Sequence, residues 1–373
     1  REFWLITPMN IEPVNYSNGL PTGENGIIMA NPSPQRILIV NQDNIGDLVC
    51  TTPLIRRLRN AFPSARIDAL VTSYNLAVLA ENPALDHVYA ITKTKHVHGL
   101  AAKTKAAFGK LTTLWQLRHN YYDLAFLATH SNNQRAIRTC RLAGVKQLVG
   151  MSKPGRQGYL AHDLTQSEEL AGKLNQSQLF AQLADLIGID SAIPPGEVWP
   201  DVAIQTSTRQ QLASFLQAGQ PLIGLHISAR KASQRWPAEK FIQLAQQLHQ
   251  QFGARFLLFW SPGDENNPLH PGDDGKAKKI IDACANVPLY AFPTGELSQL
   301  IAGLSLIDTM ICSDGGAMHI AAGLGKPIVC FFGQSGLSQW HPWGVPYVAL
   351  QPQSLQVSDV EVTQVISAFQ QLQ

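Results

Sequence analysis

Charge is scarce in this chain: 29 Lys and Arg and 27 Asp and Glu make up 15% of 373 residues and leave a formal net charge of +2. So small a balance gives no argument for a nucleic-acid partner. Cysteine is scarcer still. Cys50, Cys140, Cys284, Cys312 and Cys330 are odd in number, widely spaced and without a Cys-x-x-Cys pair, which speaks against a disulfide framework and a zinc site and for a reducing compartment. No apolar run approaches the ~20 residues of a membrane span, and no charged-then-apolar leader opens the sequence, so a cytoplasmic protein is expected. Three fingerprints are missing as well: Gly-x-Gly-x-x-Gly after the first apolar run, Gly-x-x-x-x-Gly-Lys-Ser/Thr, and Gly-x-Ser-x-Gly. Their absence counts against a dinucleotide oxidoreductase, a P-loop enzyme and a serine hydrolase of the nucleophile-elbow type.

What is present is apolar: 45% of residues are hydrophobic, enough for a well-buried globular protein. A chain of this length exceeds what one core usually supports, so two domains of ~150 residues are expected. Residues 1–35, with five prolines and no sustained period, read as an extension or an appended tail, Met9 and Met29 being alternative natural starts. From Arg36 onward short apolar runs (36–41, 66–71, 87–91, 122–128, then 221–226, 255–260, 287–292, 308–312 and 327–332) alternate with amphipathic stretches. The helices expected are 52–61, 106–119, 132–143, 175–188, 206–217, 238–251, 276–284, 296–304, 316–324 and 358–372. Strands apolar throughout and separated by helices imply parallel sheets covered on both faces, hence two Rossmann-like α/β domains. Pro194, Pro195, Gly196 and Pro200 mark the linker, giving a first domain over 36–190, a linker over 191–205 and a second domain over 206–355. Ligands of such sheets bind beyond the carboxyl ends of the strands, and a cleft between the domains is the expected site.

Chemistry concentrates where apolar runs end. Thr309-Met310-Ile311-Cys312 leads into Asp314-Gly315-Gly316-Ala317-Met318-His319, an acid and two glycines turning straight into a helix whose first N–H groups can hold a phosphate. His319 is read either as a satisfied structural residue or as a ligand contact, and both readings stand. Ile37-Leu38-Ile39-Val40 runs likewise into Asn44-Ile45-Gly46-Asp47. There Asp47 is either a helix cap or a carboxylate base, and Thr52-Pro53 either continues that helix with a kink or starts a new one. The loop His226–Trp236 gathers Ser228, Arg230, Lys231, Ser233 and Arg235, which suits a diphosphate leaving group, although a solvated loop explains the cations too. Trp236 before Pro237 reads as a packing anchor. Trp260-Ser261-Pro262-Gly263-Asp264 is a turn by composition and supports no ligand alone. Diphosphate recognition without the usual fingerprints points to a nucleotide-sugar enzyme.

These segments, in order, resemble the glycosyltransferase family 9 enzymes, the ADP-heptose:lipopolysaccharide heptosyltransferases. The residues that carry the resemblance are Ile45-Gly46-Asp47 and Thr52-Pro53-Leu54, Phe62-Pro63 with Ile67-Asp68, Asn82-Pro83 with Asp86, Gly224-Leu225-His226 through Arg235-Trp236-Pro237, and Asp314–His319 through Gly325-Lys326-Pro327 to Phe332-Gly333. It spans residues 36–350. The resemblance implies a GT-B fold, two facing Rossmann-like domains with a cleft between them and a C-terminal helix, 356–373, crossing back to the first. It also implies inverting, metal-independent transfer of heptose from ADP-heptose to the lipopolysaccharide inner core, with no cofactor. By position, Asp47 is then the general base, and Ser228, Arg230, Lys231, Arg235, Asp314, Gly315, Gly316 and His319 hold the donor diphosphate. Three positions depart from the family pattern: Gln234 where many members have Lys, Gly315 where they have Ser or Thr, and Trp260-Ser261-Pro262 where they often have Gly-Gly-Pro.

Between Asp86 and Asp123 there is no acid, while Lys93, Lys95, Lys103, Lys105, Lys110 and Arg118 occur there. A solvated basic face is one reading. The other is an acceptor-binding surface in which Lys93, Lys95 and Lys103 attract an anionic lipopolysaccharide-core acceptor, which leaves peripheral contact with the cytoplasmic face of the inner membrane open. Two alternatives to heptose transfer are a family member with another nucleotide sugar or acceptor, and a non-catalytic sugar-nucleotide-binding module.

Overall fold

The computed structural model describes residues 33–92, 100–129, 133–152, 162–165, 172–216, 219–264 and 272–373. The chain forms two compact units that divide between Gly196 and Glu197. The first contains β1 (Arg36–Val40), α1 (Ile45–Ala61), β2 (Arg66–Thr72), β3 (His87–Ile91), α2 (Leu100–His119), β4 (Leu124–Leu127), α3 (Gln134–Leu142), β5 (Gln147–Ser152), β6 (His162–Thr165) and α4 (Gln176–Ala181). The second contains α5 (Val202–Gln211), β7 (Leu222–His226), α6 (Ala238–Phe252), β8 (Arg255–Trp260), α7 (Asp274–Ala283), β9 (Leu289–Pro293), α8 (Leu297–Leu306), β10 (Thr309–Ser313), α9 (Gly316–Gly323), β11 (Ile328–Phe331), α10 (Leu337–Trp340), β12 (Tyr347–Leu350) and α11 (Val362–Gln371).

Each unit holds a six-stranded parallel sheet, ordered β3-β2-β1-β4-β5-β6 in the first and β12-β11-β10-β7-β8-β9 in the second. Counted within its own unit, each is the doubly wound order 3-2-1-4-5-6, in which the winding direction reverses between the first and fourth strands. The reversals fall between β1 and β4 and between β7 and β10, which pair in parallel over Ile37↔Leu124 to Val40↔Leu127 and over Thr309↔Ile223 to Cys312↔His226. Because the helices cover both faces, Leu38, Val40, Ala125 and Leu127 are buried in one core and Ile223, Leu225, Ile311 and Val329 in the other.

Polar residues fasten the elements. The buried Arg57 of α1 reaches the carbonyls of Ala181 at 2.6 Å and Ile189 at 2.7 Å and the Asp185 carboxylate at 2.8 Å, tying α1 to the segment that leaves the first unit. Arg59 holds Asp86 at 2.6 Å, and Asp86 also accepts the amide of Ile67 at 2.7 Å. Asp68, fully buried, accepts from the Tyr122 hydroxyl at 2.5 Å and from Arg66 at 2.8 Å. Asp68 and Asp86, two of the residues on which the family resemblance rests, therefore serve the sheet. All five cysteines are buried and none is in a disulfide.

Several boundaries differ from those the sequence suggests. The helix expected from residue 52 begins at Ile45 and runs through Pro53. Proline cannot donate to the carbonyl four residues back, and here the Thr52 hydroxyl donates to that Val49 carbonyl at 2.7 Å, so the helix continues. α5 starts at Val202, capped by Asp201, whose carboxylate accepts the Ile204 amide at 2.9 Å. β5 and β6 are too polar to stand out as apolar runs, and β12 is a further strand beyond those expected. In the C-terminal helix, Val362, Val365, Ile366, Ala368 and Phe369 lie in the core of the second unit, against α6, β11 and β12.

Phe259 of β8, fully buried, is wedged between two glycines. A Cβ at Gly303 would lie 2.6 Å from its ring, and one at Gly224 3.2 Å from it and 2.6 Å from Ile307. A ring locked in a dense core cannot retreat. Gly303→Ala should therefore destabilise the chain by ~1–3 kcal/mol, lowering the melting temperature by about 2–4 °C per kcal/mol; an unchanged thermal transition would show that α8 lifts off β8 freely.

Candidate active site

In the first unit the chain leaves β1 at Asn41, beside the strand-order reversal. Its side chain donates to the Asp47 carbonyl at 3.1 Å and to the Thr51 hydroxyl at 2.8 Å, and it accepts the Asp43 amide at 3.0 Å. The Asn75 side chain, itself set by Thr72, donates to the Asp43 carbonyl at 3.3 Å. The loop is thus fixed before α1 begins. Asp47, 3% exposed, accepts from both the backbone and the side-chain nitrogen of Asn44 at 3.2 Å. This is reciprocal capping geometry. The structure therefore displays the capping role of Asp47, with its carboxylate held at the start of α1.

In the second unit two loops leave neighbouring strands at the reversal, one after β7 and one after β10. A single residue joins them. The buried Gln234 donates from its side-chain amide to the Asp314 carboxylate at 3.0 Å and to the Ser335 hydroxyl at 3.1 Å, and its backbone carbonyl accepts from the Ser313 hydroxyl at 2.6 Å. Sequence comparison marks this position only as a departure; here the neutral amide aligns the 227–236 loop with the end of β10. Trp236 anchors the loop from below, its indole donating to the Val360 carbonyl at 2.9 Å and its ring packing on Phe241 and Phe331.

The structure brings the expected donor-side residues to this junction. Arg230 and Lys231 are exposed on the loop, Arg235 folds back to donate to the Ala229 carbonyl at 3.0 Å, and Ser228 accepts the Ser261 amide at 2.9 Å. At α9 the Met318 amide is the first to bond back, to the Gly315 carbonyl at 3.1 Å, so the N–H groups of Gly316 and Ala317 belong to the open helix end. A Cβ at Gly315 would meet nothing within 4 Å, and its φ of 163° is extended backbone, so a hydroxyl residue would fit there. His319 is buried and packs edge-on to the Trp340 ring, 6.0 Å between centroids. Of the acceptor-side residues, Lys93 and Lys95 lie outside the described residues, and Lys103 falls in α2.

Sequence reasoning missed one cation. Lys276, in the first turn of α7, extends over the Phe241 ring and donates to the Ile227 carbonyl at 2.8 Å, beneath the loop. Burial lowers its pKa to about 8, with Asp273 opposing the shift and Arg235 adding to it. Lys276 in turn helps burial to lower the His226 pKa to about 4, so that His226 is a neutral imidazole at the end of β7. In sequence Lys276 looks like one more lysine of a solvated helix; only the fold carries it to β7.

Two doubly wound units, the second with a helix N-terminus and four cations around one strand-order reversal, define an α/β protein of the GT-B class. The profile of glycosyltransferase family 9 (heptosyltransferase) matches residues 111–366, and the chain belongs to that family. It is thereby a glycosyltransferase. It is 26% identical over 305 residues to lipopolysaccharide heptosyltransferase 3 of Escherichia coli, covering 80% of this chain and 83% of that one. Among solved structures it resembles the family 9 glycosyl transferase of Veillonella parvula, with a TM-score of 0.74 at 18% identity over 91% and 97% of the two chains. It also resembles E. coli heptosyltransferase WaaC with ADP, with a TM-score of 0.69 at 14% identity over 91% and 100%.

The position of Lys276 has a measurable consequence. An ammonium that loses its proton near pH 8 contributes charge below that pH and none above it. Binding of inorganic pyrophosphate should weaken as pH rises through about 8, and Lys276→Gln should weaken it roughly tenfold at neutral pH, the worth of a charged hydrogen bond, while flattening that pH dependence. An identical pH profile in the variant would remove Lys276 from the site.

Proposed function

We propose that the protein transfers a heptose from ADP-heptose to an anionic sugar of the lipopolysaccharide inner core, with inversion and without a metal ion, Asp47 acting as general base. The observation that carries this reading is the junction at the β7/β10 reversal, where the α9 N-terminus and the cationic 227–236 loop are pinned together by Gln234. Support for the substrates comes from the names of the relatives, a lipopolysaccharide heptosyltransferase and a heptosyltransferase with ADP.

In the step proposed, an acceptor hydroxyl gives its proton to the Asp47 carboxylate while its oxygen bonds to the anomeric carbon. The bond from that carbon to the β-phosphate oxygen breaks on the opposite face, and the electron pair leaves with ADP. The negative charge that develops there meets the N–H groups of Gly316 and Ala317 and the cations Arg230, Lys231, Arg235 and Lys276. Fixed donors of this kind lower a barrier by ~3 kcal/mol each. Ser228, Asp314, Gly315 and His319 belong to the same donor site in this reading, and Lys93, Lys95 and Lys103 to the acceptor side. Five cysteines outside any disulfide suit a cytoplasmic enzyme.

Asp47→Asn separates the base from the cap, because the amide retains an oxygen to accept from Asn44. Turnover should fall ~10²–10⁴-fold with donor affinity and melting temperature unchanged; near-normal turnover would leave Asp47 as a cap alone. The account of the leaving group makes its own forecast. Transfer should continue in excess EDTA, and a complete loss reversed by magnesium would contradict protein-borne stabilisation of the diphosphate.

A further inference from the structure

A helix on a globular surface normally turns its polar side outward; α2 does the reverse over part of its length. Phe108, Leu111 and Trp115 are 73%, 64% and 62% exposed, while Leu117 is fully buried. At 3.6 residues per turn the three exposed side chains fall within a sector of about 60°, on the side opposite Leu117. The apolar surface extends beyond the helix: Arg118 donates to the Leu142 carbonyl at 3.1 Å, and Leu142 at the end of α3 is 62% exposed.

The charge around this stripe has one sign. Lys105 and Arg118 flank it on either side, and Arg135 and Arg138 are exposed on α3. Between Asp86 and Asp163 the sequence has a single acid, Asp123, and Lys146 neutralises it at 2.6 Å. A second copy of the chain is a poor occupant. A two-fold dimer through the stripe would set these cations against their own copies with no carboxylate to pair them.

We propose that α2, continued by the end of α3, is a membrane-docking face that lies on an anionic phospholipid bilayer, with Phe108, Leu111 and Trp115 in the interfacial layer and the flanking cations on the headgroups. An outward apolar stripe bordered by Lys and Arg is the pattern of an in-plane interfacial helix, whose binding combines apolar burial with attraction to anionic lipid. The inference goes beyond the proposed reaction and does not depend on it, because the test contains neither donor nor acceptor.

The full chain is sedimented with vesicles of phosphatidylcholine alone or mixed equally with phosphatidylglycerol, free of lipopolysaccharide, across a range of salt. It should bind the mixed vesicles, the neutral ones far less, and lose binding as salt rises. Phe108→Ser, Leu111→Ser and Trp115→Ser combined should weaken binding by about tenfold or more, with an unchanged melting temperature because all three positions are exposed. Lys105→Gln with Arg118→Gln should weaken binding and reduce its salt dependence. Equal binding of the parent chain and the triple serine variant would overturn the proposal. Equal binding to both vesicle types would do so too, as would a concentration-dependent dimer that the serine variant abolishes.

Discussion

The reversal of strand order is the constraint from which the rest of the site follows. In an all-parallel sheet each crossover must return over one face, and a chain that winds first one way and then the other leaves two adjacent strands whose following loops diverge. Between β7 and β10 that divergence opens a crevice at the carboxyl ends of both strands. Backbone N–H groups point into it for reasons of helix geometry alone, before any side chain is chosen. The first unit repeats the arrangement with Asn41 to Asp47 after β1. Loops at such a place must be pinned by polar side chains, since neither strand nor helix orders them; Asn41 and Gln234 do so, each with several hydrogen bonds.

Gln234 separates position from charge. Both of its amide hydrogens are used, on Asp314 and Ser335, so burying it leaves no donor unmet. A lysine in the same place would hold Asp314 as an ion pair and bring a positive charge to the crevice; the glutamine holds it equally well in geometry and brings none. Positive charge near this frame comes instead from Arg235 on the same loop and Lys276 from α7. Burial depresses the pKa of Lys276, and the neighbouring Arg235 adds to the depression.

The fold was legible because its strands are apolar on both faces, so that runs such as Ile37–Val40 and Met310–Cys312 announce a covered parallel sheet without any period. β6, reading His-Asp-Leu-Thr, is too polar for that signal, and Pro53 left α1 either continued with a kink or started afresh because a hydroxyl that replaces a missing N–H cannot be seen in a propensity. The loops of the site were legible because their chemistry is local: Gly and Asp after an apolar run, three cations within six residues. Lys276 was not, because 49 residues separate it from Ile227 and its neighbours are lysines of an ordinary exposed helix. Asp68 and Asp86 show the opposite limit. They stand out in sequence as strongly as Asp47, yet both fasten β2 to its surroundings, and only the partners Tyr122, Arg66 and Arg59 reveal it.

Charge stabilisation by protein groups alone demands that those groups be held before the reaction begins. A divalent ion brings its charge ready-made but must be bound; a guanidinium or ammonium on a flexible stem loses its advantage if it must be ordered as the bond breaks. Here the ordering is built into the fold. Arg235 is folded onto Ala229, Lys276 onto Ile227, and the α9 amides are fixed by the helix that follows β10. Their conformational cost is met when the second unit folds, and the hydrophobic core under Trp236 holds the loop in place. The same core that makes the unit stable therefore holds the cationic loop in place, and the neutral amide of Gln234 holds the frame on which the cations are set.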